Sequence, residues 1–104
     1  MSVFLVQNTE PLPRAVNTQG GLAKVLKEGH LCAVFQPIVD LQNVSVYAHE
    51  ALIRGPAGTP LHMPDALLRA AAQEQLSIAF EIACVREALQ SWARLRMSGR
   101  LFVN

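Results

Sequence analysis

At 104 residues the chain has room for one compact domain and not for two. A net charge of +1 excludes the strong field that would draw it to nucleic acid or to an anionic membrane, so neither DNA nor RNA is expected as a partner. Charged residues make up 16% and hydrophobic ones 51%. Ordinary soluble domains carry roughly 25% charge, so a chain this small is expected to cover surface within a fuller domain or an oligomer.

Residues 1–19 hold Asn8, Pro11, Pro13 and Asn17 among few periodic apolar positions. They read as a leader or loosely packed extension with a short strand at Val3–Val6, and the initiating Met1 suggests no large sensor domain in front. Val3-Phe4-Leu5-Val6 has no basic flank and is too short for a signal peptide's apolar core. No stretch approaches the ~20 apolar residues of a membrane span, so the chain reads as cytoplasmic. Cys32 and Cys84 offer neither a disulfide framework nor metal-binding spacing and read as buried, reduced thiols.

From residue 20 the chain reads as one unit, residues 20–104. Leu22, Val25 and Leu26 mark an apolar helical face, and Gly29 is placed to end that helix. The β-forming run Leu31–Leu41 follows, broken by Pro37. Proline cannot donate to a ladder, which predicts an edge, a bulge or a local irregularity there. After a turn at Gln42-Asn43, a second run extends from Val44 to Arg54, and the short turn predicts an antiparallel pair.

Gly55-Pro56-Ala57-Gly58-Thr59-Pro60 is a loop, and Pro64 suits the first turn of a helix running through Ala72. Ser77 is the expected cap of the longest helix, Ile78 to Met97. Its Ile78, Ile82, Val85, Leu89 and Trp92 gather on one face, with Trp92 as a core anchor. Gly99 is placed to stop it, and Leu101-Phe102-Val103-Asn104 opens another strand. The order is helix, strand, strand, helix, helix, strand, an α/β pattern.

The second strand carries the positions of chemical interest. Regular alternation places Val44, Val46, Ala48, Glu50, Leu52 and Arg54 on one face, and Ser45, Tyr47, His49, Ala51 and Ile53 on the other. Glu50 and Arg54 would stand ~13 Å apart at ~3.3 Å per residue, too far for a direct ion pair. If buried, each needs another partner, and a metal ion for one and a phosphate for the other would satisfy both. Alternation alone equally allows two charges solvated at a strand end. His30, His49 and His62 have no metal-ligand spacing, and His49 falls on the face opposite Glu50, where packing or solvent is expected. Glu74 and Glu81 lie on helical segments and are expected to be solvated.

Gln36-Pro37-Ile38-Val39-Asp40, then Glu50-Ala51-Leu52-Ile53-Arg54 ten residues later, resembles the opening of the EAL domain family. The loop, the proline-led helix, the long helix with Arg86-Glu87-Ala88-Leu89 and the closing Phe102-Val103-Asn104 follow in matching order, so the resemblance covers roughly residues 22–104. It implies a partial TIM-barrel-like fold whose first strand pair is antiparallel, with about three strands and three helices present. It also implies that Glu50 and Asn104 are ligands of Mg²⁺ or Mn²⁺, hard cations suited to oxygen donors. Arg54 would hold a phosphate of cyclic di-GMP, where its fork of donors matches the phosphate oxygens. Leu52 would pack near the nucleotide. Gln36 would bond a guanine edge or be satisfied within the sheet. Glu81 falls where the family is commonly acidic and is also weighed as a structural polar contact.

The implied function is metal-dependent hydrolysis of cyclic di-GMP to linear di-GMP. The alternatives are a degenerate module that senses cyclic di-GMP and a protein-interaction domain. A complete barrel takes about 250 residues. The paired aspartates and the lysine of the family come after the stretch matched here, so the 104-residue chain alone is expected to be inactive. An open barrel is further expected to associate by swapping or edge pairing, as a homo-oligomer or with the rest of the barrel.

Overall fold

The computed structural model describes residues 2–4 and 21–103. In chain order the elements are β1 (Ser2–Phe4), α1 (Gly21–Glu28), β2 (Cys32–Asp40), β3 (Ser45–Arg54), α2 (Pro64–Gln73), α3 (Ser77–Arg94) and β4 (Arg100–Phe102). The strands form one sheet in the order β1-β2-β3-β4. β1 and β3 flank β2 antiparallel, and β4 lies parallel to β3, with α2 and α3 making the long connection that a parallel neighbour requires. This is the partial, TIM-barrel-like α/β arrangement that the resemblance implies, with the β2–β3 hairpin antiparallel. β1 covers Val3 and Phe4 of the expected strand at Val3–Val6 and begins one residue earlier, at Ser2; Leu5 and Val6 lie outside the described residues.

The β2–β3 turn occupies Leu41–Val44 rather than two residues. Asp40 organises it: one carboxylate oxygen accepts the Gln42 N–H at 2.9 Å and the other accepts the Asn43 amide at 2.9 Å. Val44 closes the turn at φ 48°, a left-handed position that a β-branched residue adopts reluctantly.

The ladder then shifts register. Ile38 pairs with Ala48 but Val39 with Val46, so Tyr47 is the extra residue of a bulge immediately beyond Pro37. The irregularity that proline predicts is therefore present. The even alternation expected from Val44 to Arg54 holds only from Ala48 onward, because the bulge carries Val46 to the other face.

The core lies between the helices and one face of the sheet, around Leu22, Val25, Leu31, Leu67, Ala71 and Phe80. Gly29 ends α1 at φ 70°, and the His30 N–H bonds the Val25 carbonyl at 3.0 Å, a closure favoured by glycine. The other two helices close the same way on residues that glycine would suit better. Gln75 (φ 58°) ends α2 and Arg96 (φ 53°) ends α3. The Leu76 and Met97 N–H groups bond back to the Ala71 and Trp92 carbonyls at 2.8 and 3.1 Å.

α3 thus stops at Arg94, short of the expected Met97, and Arg96 rather than Gly99 makes the turn. Ser77 is its first residue, not its cap; Leu76 holds that position without a side-chain bond. The apolar stripe of α3 does not face the core. Ile78, Ile82, Val85 and Leu89 are exposed, and the buried positions are Phe80, Ala88 and Ser91. No helix among the described residues is long and apolar enough to cross a membrane.

Candidate functional site

Alternation and ladder register together decide which side chains share a surface. In the β2–β3 hairpin Gln36 is the partner of Glu50, Val34 of Leu52 and Cys32 of Arg54. Directly paired residues point to the same face, so Gln36, Glu50, Leu52 and Arg54 lie together on one side of the sheet. All four are half-buried. Phe102 of β4 lies beside Glu50 in the parallel register and extends this face across a third strand. Asn104, the second expected metal ligand, lies outside the described residues.

The opposite face is packed against helices. The Phe35 and His49 rings meet Trp92 edge to face at 5.4 and 5.6 Å, Ala51 is buried and Ile53 packs on the core. His49 is therefore a packing residue on the far side from Glu50, and Trp92 anchors α3 to the sheet. An apolar cavity of about 210 Å³ lies on this helix side, lined by Ala51, Ile53, Phe80 and Cys84 among others. The larger groove, about 620 Å³, runs along α3. Neither is the space in front of Glu50 and Arg54. Among the described residues, the sheet face that carries Glu50 and Arg54 is the candidate site.

The end of β3 is held by the loop that follows. The Gly55 N–H donates to the His62 carbonyl at 2.8 Å, and His62 Nδ1 lies 3.1 Å from the Gly55 carbonyl oxygen. A Cβ on Gly55 would overlap the Leu61 carbonyl oxygen, so only glycine lets the chain fold back directly after Arg54. Arg54 Nη1 donates to the Ile53 carbonyl at 3.1 Å. Gly55 and His62 thus support the Arg54 end of the strand. The Gly-Pro pair directly after Arg54 was the only sequence hint of this.

At the other end of β3 the Arg100 guanidinium sits 4.7 Å above the Tyr47 ring, and Tyr47 meets Phe102 edge to face at 6.2 Å. This cluster depends on the bulge at Tyr47, which alternation alone does not reveal.

The remaining titratable residues have structural places. His30 pairs with Glu28 at 3.2 Å. Glu74, expected in solvent, accepts the Leu22 and Ala23 N–H groups at 2.9 and 3.1 Å and so caps the N-terminus of α1 from 52 residues away. Glu81 is exposed on α3. Cys32 and Cys84 are half-buried rather than fully buried. Burial, reinforced by the Glu81 carboxylate, pushes the Cys84 thiol up to about 11.

A cation is not held by the described residues alone. Among them no three His, Cys, Asp or Glu side chains come together, and Glu50 offers a single carboxylate where Mg²⁺ takes about six oxygens. A phosphate is better served: Arg54 presents planar donors on a half-buried face beside the apolar Leu52.

The model of the EAL domain matches residues 19–104. No curated protein matches the chain. With the family model covering most of its length, and the ordered motif lying on one face of the β2–β3 hairpin, the chain belongs to the EAL domain family of cyclic di-GMP phosphodiesterase domains.

Proposed function

We propose that the face carrying Gln36, Glu50, Leu52 and Arg54 is one wall of a cyclic di-GMP site. Arg54 takes phosphate oxygens, Leu52 packs against the dinucleotide and Gln36 bonds a guanine edge. Glu50 and Asn104 supply oxygens to Mg²⁺ or Mn²⁺. The observation that carries this reading is the register: Gln36 opposite Glu50, with Leu52 and Arg54 on the same face. When bound, the cation would polarise the phosphodiester and activate water. Glu50 is too small a donor set to do this unaided, so the 104-residue chain binds the dinucleotide without turning it over.

The test is calorimetric titration of the chain with cyclic di-GMP in Mg²⁺, with chromatography for the linear product. Loss of a charge-assisted phosphate contact in Arg54→Ala should weaken binding about tenfold or more. Unchanged affinity would remove Arg54 from the site. Linear di-GMP formed by the pure chain would overturn the expected inactivity.

A further inference from the structure

The loop that follows Arg54 closes on itself. The Gly55 N–H donates to the His62 carbonyl at 2.8 Å, and His62 Nδ1 faces the Gly55 carbonyl oxygen at 3.1 Å. A carbonyl oxygen only accepts, so Nδ1 carries the proton and the imidazole is the donor. Within the loop the His62 N–H donates to the Thr59 carbonyl at 3.2 Å. The Thr59 hydroxyl donates to the Pro56 carbonyl at 2.7 Å and accepts the Leu61 N–H at 3.3 Å. Residues 55–62 are thus a hydrogen-bonded ring whose two ends meet at Gly55 and His62.

Composition stiffens the ring. Pro56 and Pro60 each fix a backbone dihedral, and Gly55 and Pro56 are buried. Arg54 is joined directly to the clamped residue, and its guanidinium turns back on the strand, with Nη1 donating to the Ile53 carbonyl at 3.1 Å. An arginine on a loose strand end loses backbone and rotamer freedom when it meets a phosphate, which weakens binding. Here the backbone that carries it is held on both sides, by the ladder at Cys32 and by the ring at Gly55. Of the two bonds between Gly55 and His62, the one between backbone groups is open to any residue at position 62. The other needs a side-chain donor placed where Nδ1 stands.

We propose that His62 is a positioning residue for the phosphate contact of Arg54. Its Nδ1–H fixes the Gly55 carbonyl and, through the Arg54–Gly55 peptide, the direction in which the guanidinium is presented. The role rests on Arg54 contacting a phosphate of cyclic di-GMP, as proposed for this face. His62 itself makes no ligand contact in this role; it removes ordering cost from binding. Its loss therefore lowers affinity without deleting a contact, and the loss is felt only while Arg54 is there to be ordered.

Calorimetric titration of the 104-residue chain with cyclic di-GMP in Mg²⁺ tests this, beside NMR relaxation of Arg54 Nε in the ligand-free chain. Circular dichroism confirms that each variant folds. His62→Leu keeps the bulk and removes the donor; it should raise Kd about fivefold and loosen Arg54 Nε. His62→Ala replaces it if leucine disturbs the packing, with the same expectations. His62→Asn sets an amide nitrogen as many bonds from the backbone as Nδ1, and should return Kd to within about twofold of the unmodified chain. In an Arg54→Ala background, His62→Leu should change Kd by less than about twofold. If His62→Leu alters neither Kd nor the order of Arg54 Nε while Arg54→Ala still weakens binding, the positioning role alone is overturned. An equal loss with and without Arg54 also overturns it and makes His62 a support of the loop only. Failure of His62→Asn to restore binding overturns the part given to the Nδ1–H donor. Binding indifferent to Arg54→Ala overturns the reading of the whole face, and the role of His62 with it.

Discussion

In α1 the residues marked by helical spacing, Leu22 and Val25, are 0% and 1% exposed, whereas in α3 Ile78 and Ile82 stand 75% and 53% exposed. Both helices have amphipathic spacing, but they meet different neighbours. α1 presents its larger apolar residues to α2 and the core. α3 lies on β2 and β3 through a side where Phe80, Ala88 and Ser91 are the buried residues, and its Trp92 ring meets Phe35 of β2 and His49 of β3. Small residues allow close approach of helix to sheet, and the larger aliphatics are displaced to the flank. Periodicity identifies a surface able to be buried, while size and neighbours decide whether this chain buries it.

The sharpest way to break the comparison is to shorten one residue of each kind. Leu22→Ala should cost about 3 kcal/mol in urea unfolding, since it empties a fully buried position. Ile82→Ala, measured on dilute monomer, should stay within about 0.5 kcal/mol. Comparable losses would mean that the α3 stripe is covered in the folded monomer.

A second test separates the ends of the two helices. α1 starts on a borrowed cap, the Glu74 carboxylate, whereas α3 starts without any side-chain cap. Glu74→Ala should destabilise the fold by about 1 kcal/mol and speed amide exchange at Leu22 and Ala23. No change at those two amides would show that the carboxylate does not cap the helix in solution.

The smallest effect concerns Cys84, on the inward side of α3. Its thiol is raised from the ordinary 9.0 to about 11, chiefly by burial and then by Glu81. Between those values the unfolded chain loses the proton and the folded chain keeps it. The contribution to stability is therefore complete below pH 9 and fades as pH rises toward 11. Alkylation of Cys84 in the folded chain should stay slow at pH 9 and accelerate only near 11, as mass spectrometry of the modified peptide would show. Rapid reaction at pH 8 would mean that the side of α3 facing the core opens readily.

Much of the fold was legible because its signals are local. The antiparallel hairpin follows from two β-forming runs and a short turn. Pro37 announced the bulge beside it, Gly29 the end of α1 and Pro64 the start of α2. Within the candidate site, the common face of Glu50, Leu52 and Arg54 follows from alternation alone. Their alignment with Gln36 needed the register. What was not legible depends on partners distant in sequence or on backbone forced by packing. Glu74 reaching α1, Gly55 folding against Leu61, and Gln75 and Arg96 in left-handed turns are of this kind.

By itself the sequence determined the α/β order, the antiparallel opening pair and the family. These rest on steric preferences of short segments and on an ordered motif. The tertiary structure alone decided the face on which Val46 falls, the side α3 turns inward, and the contacts of Glu74 and His49. Each is a contest among segments for the same buried space, settled by size and fit once the layers meet.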